Sequence, residues 1–179
     1  MSHRTPPGVV ELALKTIVVH TTTYLFVGAP MFFIFNYADS FMAPELACWM
    51  RPTTDPLVMA GLLFQPIRGL IFALAFFPVR EVLFSKKNGW LLIWWLLVAL
   101  GILSTFGPAP GSIEGMVYTI LPISITTYLE VVLQSFSLSS LLFYWINHPN
   151  KRWLNWIMGV VFALVMFLTI LSLVSRNIS

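Results

Sequence analysis

Two side chains able to do electrostatic work, Arg68 and Glu130, stand deep inside long apolar stretches of this 179-residue chain. A charge near the centre of a bilayer costs at least about 2.5–3.5 kcal/mol, so such residues face a bundle interior or a wet cavity. Each has an amide on its own helical face: Gln65 three residues before Arg68, and Gln134 four residues after Glu130. If the spans begin at Pro56 and Thr119, a rise of 1.5 Å per residue puts Arg68 about 18 Å and Glu130 about 17 Å from the same side. An arginine fork holds a carboxylate through two parallel hydrogen bonds. An Arg68–Glu130 pair is therefore expected at one level. His20, roughly 26 Å from the span end at Tyr37, lies near the level of Gln134 at about 22 Å, so these two could meet.

The patch Arg68, Glu130, Gln65, Gln134 and His20 admits two uses. A buried ion pair can fix helices in register without adding net stability. Alternatively, it can line a route for protons, ions or a small anionic solute. Pro66 cannot donate the helical bond to Leu62, nor Pro30 to Phe26, so a kink and a freed carbonyl are expected at each. Gly69 with Ala73, and Gly159 with Ala163, are small residues four apart that permit close helix approach. Ser135, Ser137, Ser139 and Ser140 surround part of the fourth apolar stretch, which marks it as the expected centre of the bundle.

Enzyme motifs are absent from the sequence: no phosphate-binding loop, nucleophile elbow, H-E-x-x-H, calcium loop, paired CxxC or dinucleotide fingerprint occurs. The three histidines, His3, His20 and His148, have no partner at metal or haem spacing. Neither a cofactor nor a metal is expected. Cys48, the single cysteine, excludes an internal disulfide. Intramembrane acid–base chemistry by Glu130 and His20 ranks last, because no nucleophile accompanies them.

The elements that position the patch follow from composition. With 58% hydrophobic and 9% charged residues, the chain cannot hide its apolar surface in one water-soluble core. Its ten Lys and Arg are dispersed, which argues against nucleic acid as a partner. Five stretches approach the length of roughly 20 helical residues that a bilayer requires: 12–37, 56–79, 90–106, 119–146 and 153–174. They lack the alternation of barrel strands, so the expected fold is all-α, a single polytopic membrane bundle over residues 1–179.

Positive charge orients the bundle. Arg4 and Lys15, then Arg80, Lys86 and Lys87, then Lys151 and Arg152 fall on one side of a five-span chain, which is read as the cytoplasmic side. The connections 39–55 and 107–118 then lie outside, as does the C-terminal tail with Arg176. Trp90, Tyr144, Trp145, Trp153 and Trp156 mark the inner boundary, and Tyr37, Trp49 and Tyr118 the outer one. The first apolar stretch, interrupted by Glu11, Lys15 and His20, is read as a retained span rather than a signal peptide. No lipidation or retention signal stands at either end. Residues 41–50 suit a short interfacial helix, and the Gly- and Pro-rich 107–115 an ordered turn. Glu114 in that turn is expected to be a solvated carboxylate.

The leading expectation is a non-enzymatic accessory or scaffolding subunit of the cell membrane, assembled with copies of itself or with other membrane subunits. The alternative is a small transporter or channel. Lack of an internal repeat counts against a self-contained carrier, since many carriers contain duplicated halves.

Overall fold

The computed structural model describes residues 6–105, 109, 111–120 and 125–176. All regular structure among these residues is helical. Helix α1 spans Val9–Ile34 and ends where Asn36 takes a left-handed φ of 47°, a conformation asparagine tolerates. Asn36 then donates to the Asp39 carboxylate at 2.5 Å as α2, Tyr37–Met42, begins. The expected helix over 41–50 is displaced. Its first residues belong to α2, and 43–50 form successive turns in which the Ala43 and Leu46 carbonyls accept from Leu46, Ala47, Trp49 and Met50. Pro44 interrupts helical donation at this point.

The second apolar stretch is a segmented rod. It runs through α3 (Pro56–Met59), a 3₁₀ turn (Ala60–Phe64), α4 (Gln65–Phe76), a second 3₁₀ turn (Phe77–Val79) and α5 (Arg80–Ser85). The segmentation follows the prolines. Pro66 stands in the first turn of α4, where its missing N–H costs nothing. The Leu62 carbonyl expected to be free instead accepts from Gln65 N–H, a tighter bond that replaces the missing one. Helix α6 covers Gly89–Val98 and passes into a π turn at Ala99–Leu103. Short α7 (Ile113–Tyr118) is capped by Ser112, whose Oγ accepts from Gly115 N–H at 2.9 Å. Helices α8 (Ile125–Asn147) and α9 (Arg152–Arg176) follow.

Four helical segments among the described residues are long and apolar enough to cross a membrane: Val9–Ile34, Pro56–Ser85, Tyr128–Asn147 and Arg152–Ser175. The third stretch, 90–106, falls short. Its apolar helix is Gly89–Leu103, and Phe106 lies outside the described residues. The fourth also begins later than expected. Thr119 is extended and closes α7, and α8 starts at Ile125.

Helix α1, rather than α8, is the hub. It packs along α4, along α8 and against α9, and α8 packs in turn on α6. Lipid is as apolar as the side chains, so close fit and polar contacts hold such helices together. Gly69 supplies a close fit between α1 and α4: a Cβ there would meet Ile17 Cα at 2.7 Å. Ala73, one turn on, is also buried. On the α6–α8 side, Trp94 Nε1 donates to the Val132 carbonyl at 3.2 Å, and the Trp90 and Trp94 rings meet Phe136 edge-on.

Chain direction gathers positive charge at one end. Pro6, Pro7 and Glu11, the end of α5 at Phe84 and Ser85, and the α8–α9 turn from Ile146 to Lys151 surround one cavity of about 480 Å³. There Lys15 pairs with Glu11 at 2.7 Å and lies over the Trp145 ring. Lys151 likewise lies over Tyr144. The N-terminal segment, the end of α5 and the α8–α9 turn thus meet at this end, although Arg4 itself lies outside the described residues. At the opposite, far end, Gly111 turns the chain with φ 87°, and its carbonyl accepts from Tyr128 Oη at 2.6 Å. Gly107, Pro108 and Pro110 of the expected turn lie outside the described residues.

Candidate functional site

Two cavities lie at successive levels along α1 and α8, and four of the five residues singled out by sequence line one or the other. The mid-bundle cavity, about 250 Å³, is lined by His20, Arg68 and Gln134, together with Phe72, Ser135 and Gly101. The far-end cavity, about 450 Å³, holds Glu130. Gln65 is buried at the seam between α1 and α4.

The expected Arg68–Glu130 pair is not formed. The ion pairs between described residues are Lys15–Glu11 and Arg51–Asp55. The Glu130 carboxylate instead accepts a short hydrogen bond from Tyr37 Oη. It also sits against Gly28, where a Cβ would lie 3.4 Å from Glu130 Oε1. Arg68 lies with its guanidinium 5.7 Å from the centre of the Phe72 ring, and its side chain is exposed. The depths differ for a simple reason. Because Thr119 and Ile120 are not helical, Glu130 is at most about 13.5 Å into its helix rather than 17 Å. Gly69, beside Arg68, packs on Ile17, whereas Glu130 meets Gly28, roughly 16 Å farther along α1.

His20 is almost wholly buried and meets Gln65, not Gln134: Nε2 and Oε1 are 3.1 Å apart. Gln65 Nε2 donates to the Gly61 carbonyl at 3.0 Å, so its Oε1 is the acceptor and His20 Nε2 carries the proton. The His20 ring also stands edge-on to Phe72 at 5.0 Å. Gln134 joins His20 only as a second wall of the mid-bundle cavity.

The sequence reading passed over the threonines that follow His20. Thr16, Thr21, Thr22 and Thr23 are all buried in α1. Thr23 Oγ1 donates to the Val19 carbonyl at 2.8 Å. The hydroxyls of Thr16, Thr21 and Thr22 and His20 Nδ1 are buried without a hydrogen-bond partner among the described residues. The signal was present as His-Thr-Thr-Thr-Tyr, five hydrogen-bonding side chains in a row within an apolar span. Ser135 and Ser139 are buried as expected, but each donates to a carbonyl of its own helix, Val132 and Phe136.

Chemically, the mid-bundle cavity offers a cation and hydrogen-bonding groups, and the far-end cavity a carboxylate among aromatic rings. Among the described residues, no three His, Cys, Asp or Glu side chains converge as a metal site would require. No protein-family model, curated protein or solved structure matches the chain.

Proposed function

We propose that this chain is a component of a small membrane transporter or channel, in which the two cavities along α1 and α8 are successive stations for an ion or small charged solute. One observation carries the reading: Arg68 and Glu130 line separate cavities and do not neutralise each other. A register-fixing clamp would consume both charges in one contact. Here the two side chains meet different partners, Phe72 and Tyr37, and an ionisable group without a counter-ion within a bilayer is tolerated beside a wet path or a ligand. The π turn of α6 lies beside the mid-bundle cavity at Gly101, and such turns recur at working sites.

In this reading the chain crosses the cell membrane five times, with the N-terminus and the basic end cytoplasmic. Support comes from the shared position of the N-terminal segment, the α5–α6 turn and the α8–α9 turn around one cavity. The short helix Gly89–Leu103 makes the third crossing, alongside α8. A second reading, an accessory subunit bound to its own copies or to other membrane subunits, draws on α9. Trp156, Val160, Leu164 and Phe167 on that helix are all exposed. The exposed Arg68 would then meet a carboxylate of the neighbouring subunit.

Reconstitution into vesicles tests the choice. The route reading expects proton or ion flux above that of empty vesicles, abolished by Arg68→Gln or Glu130→Gln while native size in mild detergent is unchanged. Equal flux in wild type and both variants would sink it. Loss of assembly on Arg68→Gln, with no wild-type flux, would favour the subunit reading.

A further inference from the structure

The far-end cavity has a composition different from that of a general polar vestibule. Among the described residues, Glu130 contributes its one acidic group, half-buried and joined to no lysine or arginine by an ion pair. Around it stand four aromatic side chains: Tyr24 and Phe32 from α1, and Tyr37 and Phe41 from α2. Their arrangement is ordered. Tyr37 stacks on Phe41 with centroids 5.5 Å apart and 17° between planes, and Phe32 stands edge-on to Tyr37 at 6.1 Å. The Tyr37 hydroxyl is turned onto the Glu130 carboxylate, which fixes both groups. Thr53 adds a hydroxyl, and the remaining wall is apolar.

We infer that this cavity binds an organic ammonium ion, a primary amine or methylated ammonium group, held by Glu130 and packed among the rings of Tyr24, Phe32 and Phe41, while Tyr37, itself stacked on Phe35 and Phe41, orients the carboxylate. Three features select that class. A carboxylate supplies the counter-charge, and aromatic faces attract cations through their quadrupoles, as in sites that recognise quaternary ammonium. The volume of about 450 Å³ falls within the range of small-molecule pockets and exceeds what a bare metal ion needs. The third is chemical: a metal ion prefers several oxygen ligands, whereas among the described residues this cavity offers one carboxylate and scattered hydroxyls in apolar walls. Helix α2, which carries two of the rings, hinges on the left-handed Asn36, so the cavity is closed on one side by a short and separately anchored element.

The inference concerns the Glu130 station of the proposed route alone and not the station at Arg68, and binding can be read without transport. The probe is choline, titrated by calorimetry into the full-length protein in a non-ionic detergent. Its neutral isostere 3,3-dimethyl-1-butanol and sodium serve as comparisons. Choline is expected to bind, the isostere about tenfold more weakly or worse, and sodium not to compete. Glu130→Gln should weaken choline by about tenfold or more, and Phe41→Leu, which leaves the carboxylate in place, by a smaller factor. If Glu130→Gln does not fold, Phe41→Leu and Tyr24→Leu carry the test. Equal binding of choline and its isostere would overturn the proposal in favour of an apolar pocket. Competition by sodium, or no choline binding at millimolar concentration, would overturn it as well. Choline binding with silent vesicles would refute the route and leave the site standing.

Discussion

The α1–α4 seam and the outer face of α9 are both built on a glycine followed four residues later by an alanine. At the seam, Gly69 lets Ile17 approach so closely that any side chain would strike backbone, and Ala73 is buried beside it. On α9, a Cβ at Gly159 would meet nothing within 4 Å, and Gly159 and Ala163 border an open groove. The same spacing thus serves in one place as a tight intramolecular contact and in the other as free surface. Small residues permit approach; a partner helix must also arrive, and the polar bond between His20 and Gln65 draws α4 onto α1 at the first site.

The sharpest break of this comparison is a matched pair of substitutions. Gly69→Leu should destabilise the bundle by about 1–3 kcal/mol or more, because Ile17 contributes rigid backbone that cannot move aside. Gly159→Leu should leave thermal unfolding in detergent unchanged. Similar losses from both would show that α9 is covered in the assembled protein, and a Gly159→Leu variant that folds but changes native size would identify a second copy as the cover.

A smaller effect is expected one level further along the seam. His20→Leu keeps the apolar packing against Phe72 but strips the donor from buried Gln65, at a cost of about 1–3 kcal/mol. The double variant with Gln65→Leu should recover part of that loss, and no recovery in a double-mutant cycle would mean that the bond contributes little. Smallest is the contribution of Asp55, which caps α3 at the far end. Its pKa is lowered below the ordinary 3.8, first by the Leu57 N–H and then by Arg51. A depressed carboxylate stabilises the fold above its unfolded pKa, and that contribution is lost as pH falls through the lower, folded value. Exchange protection at the Leu57 amide should therefore persist at neutral pH and vanish in strong acid. In Asp55→Asn the acid-dependent step should disappear.

Much of the architecture was legible in the sequence because lipid imposes it. Apolar length gave the long helices, and the segments expected to share one end do meet there, around Glu11, Phe84 and Lys151. The site was legible by residue type and not by contact. His20, Arg68, Gln134 and Glu130 all line cavities, yet the pairing inferred from depth failed because it took α8 to begin at Thr119, and Thr119 and Ile120 stand outside the helix. Counting residues converts to depth only when the helix start is known, and Gly- and Pro-rich connections hide that start.

By itself, then, the sequence determined that the chain is helical and suited to a membrane, because backbone groups in lipid must bond within their own segment. It also determined which side chains pay for burial there, through their charge. Tertiary structure decided what those charges meet. Placing α1 as the hub set Gly28 and Tyr37 against Glu130 and left Arg68 to Phe72. Such choices rest on azimuth and register between helices, quantities fixed by the fit of one surface against another and carried by no single segment.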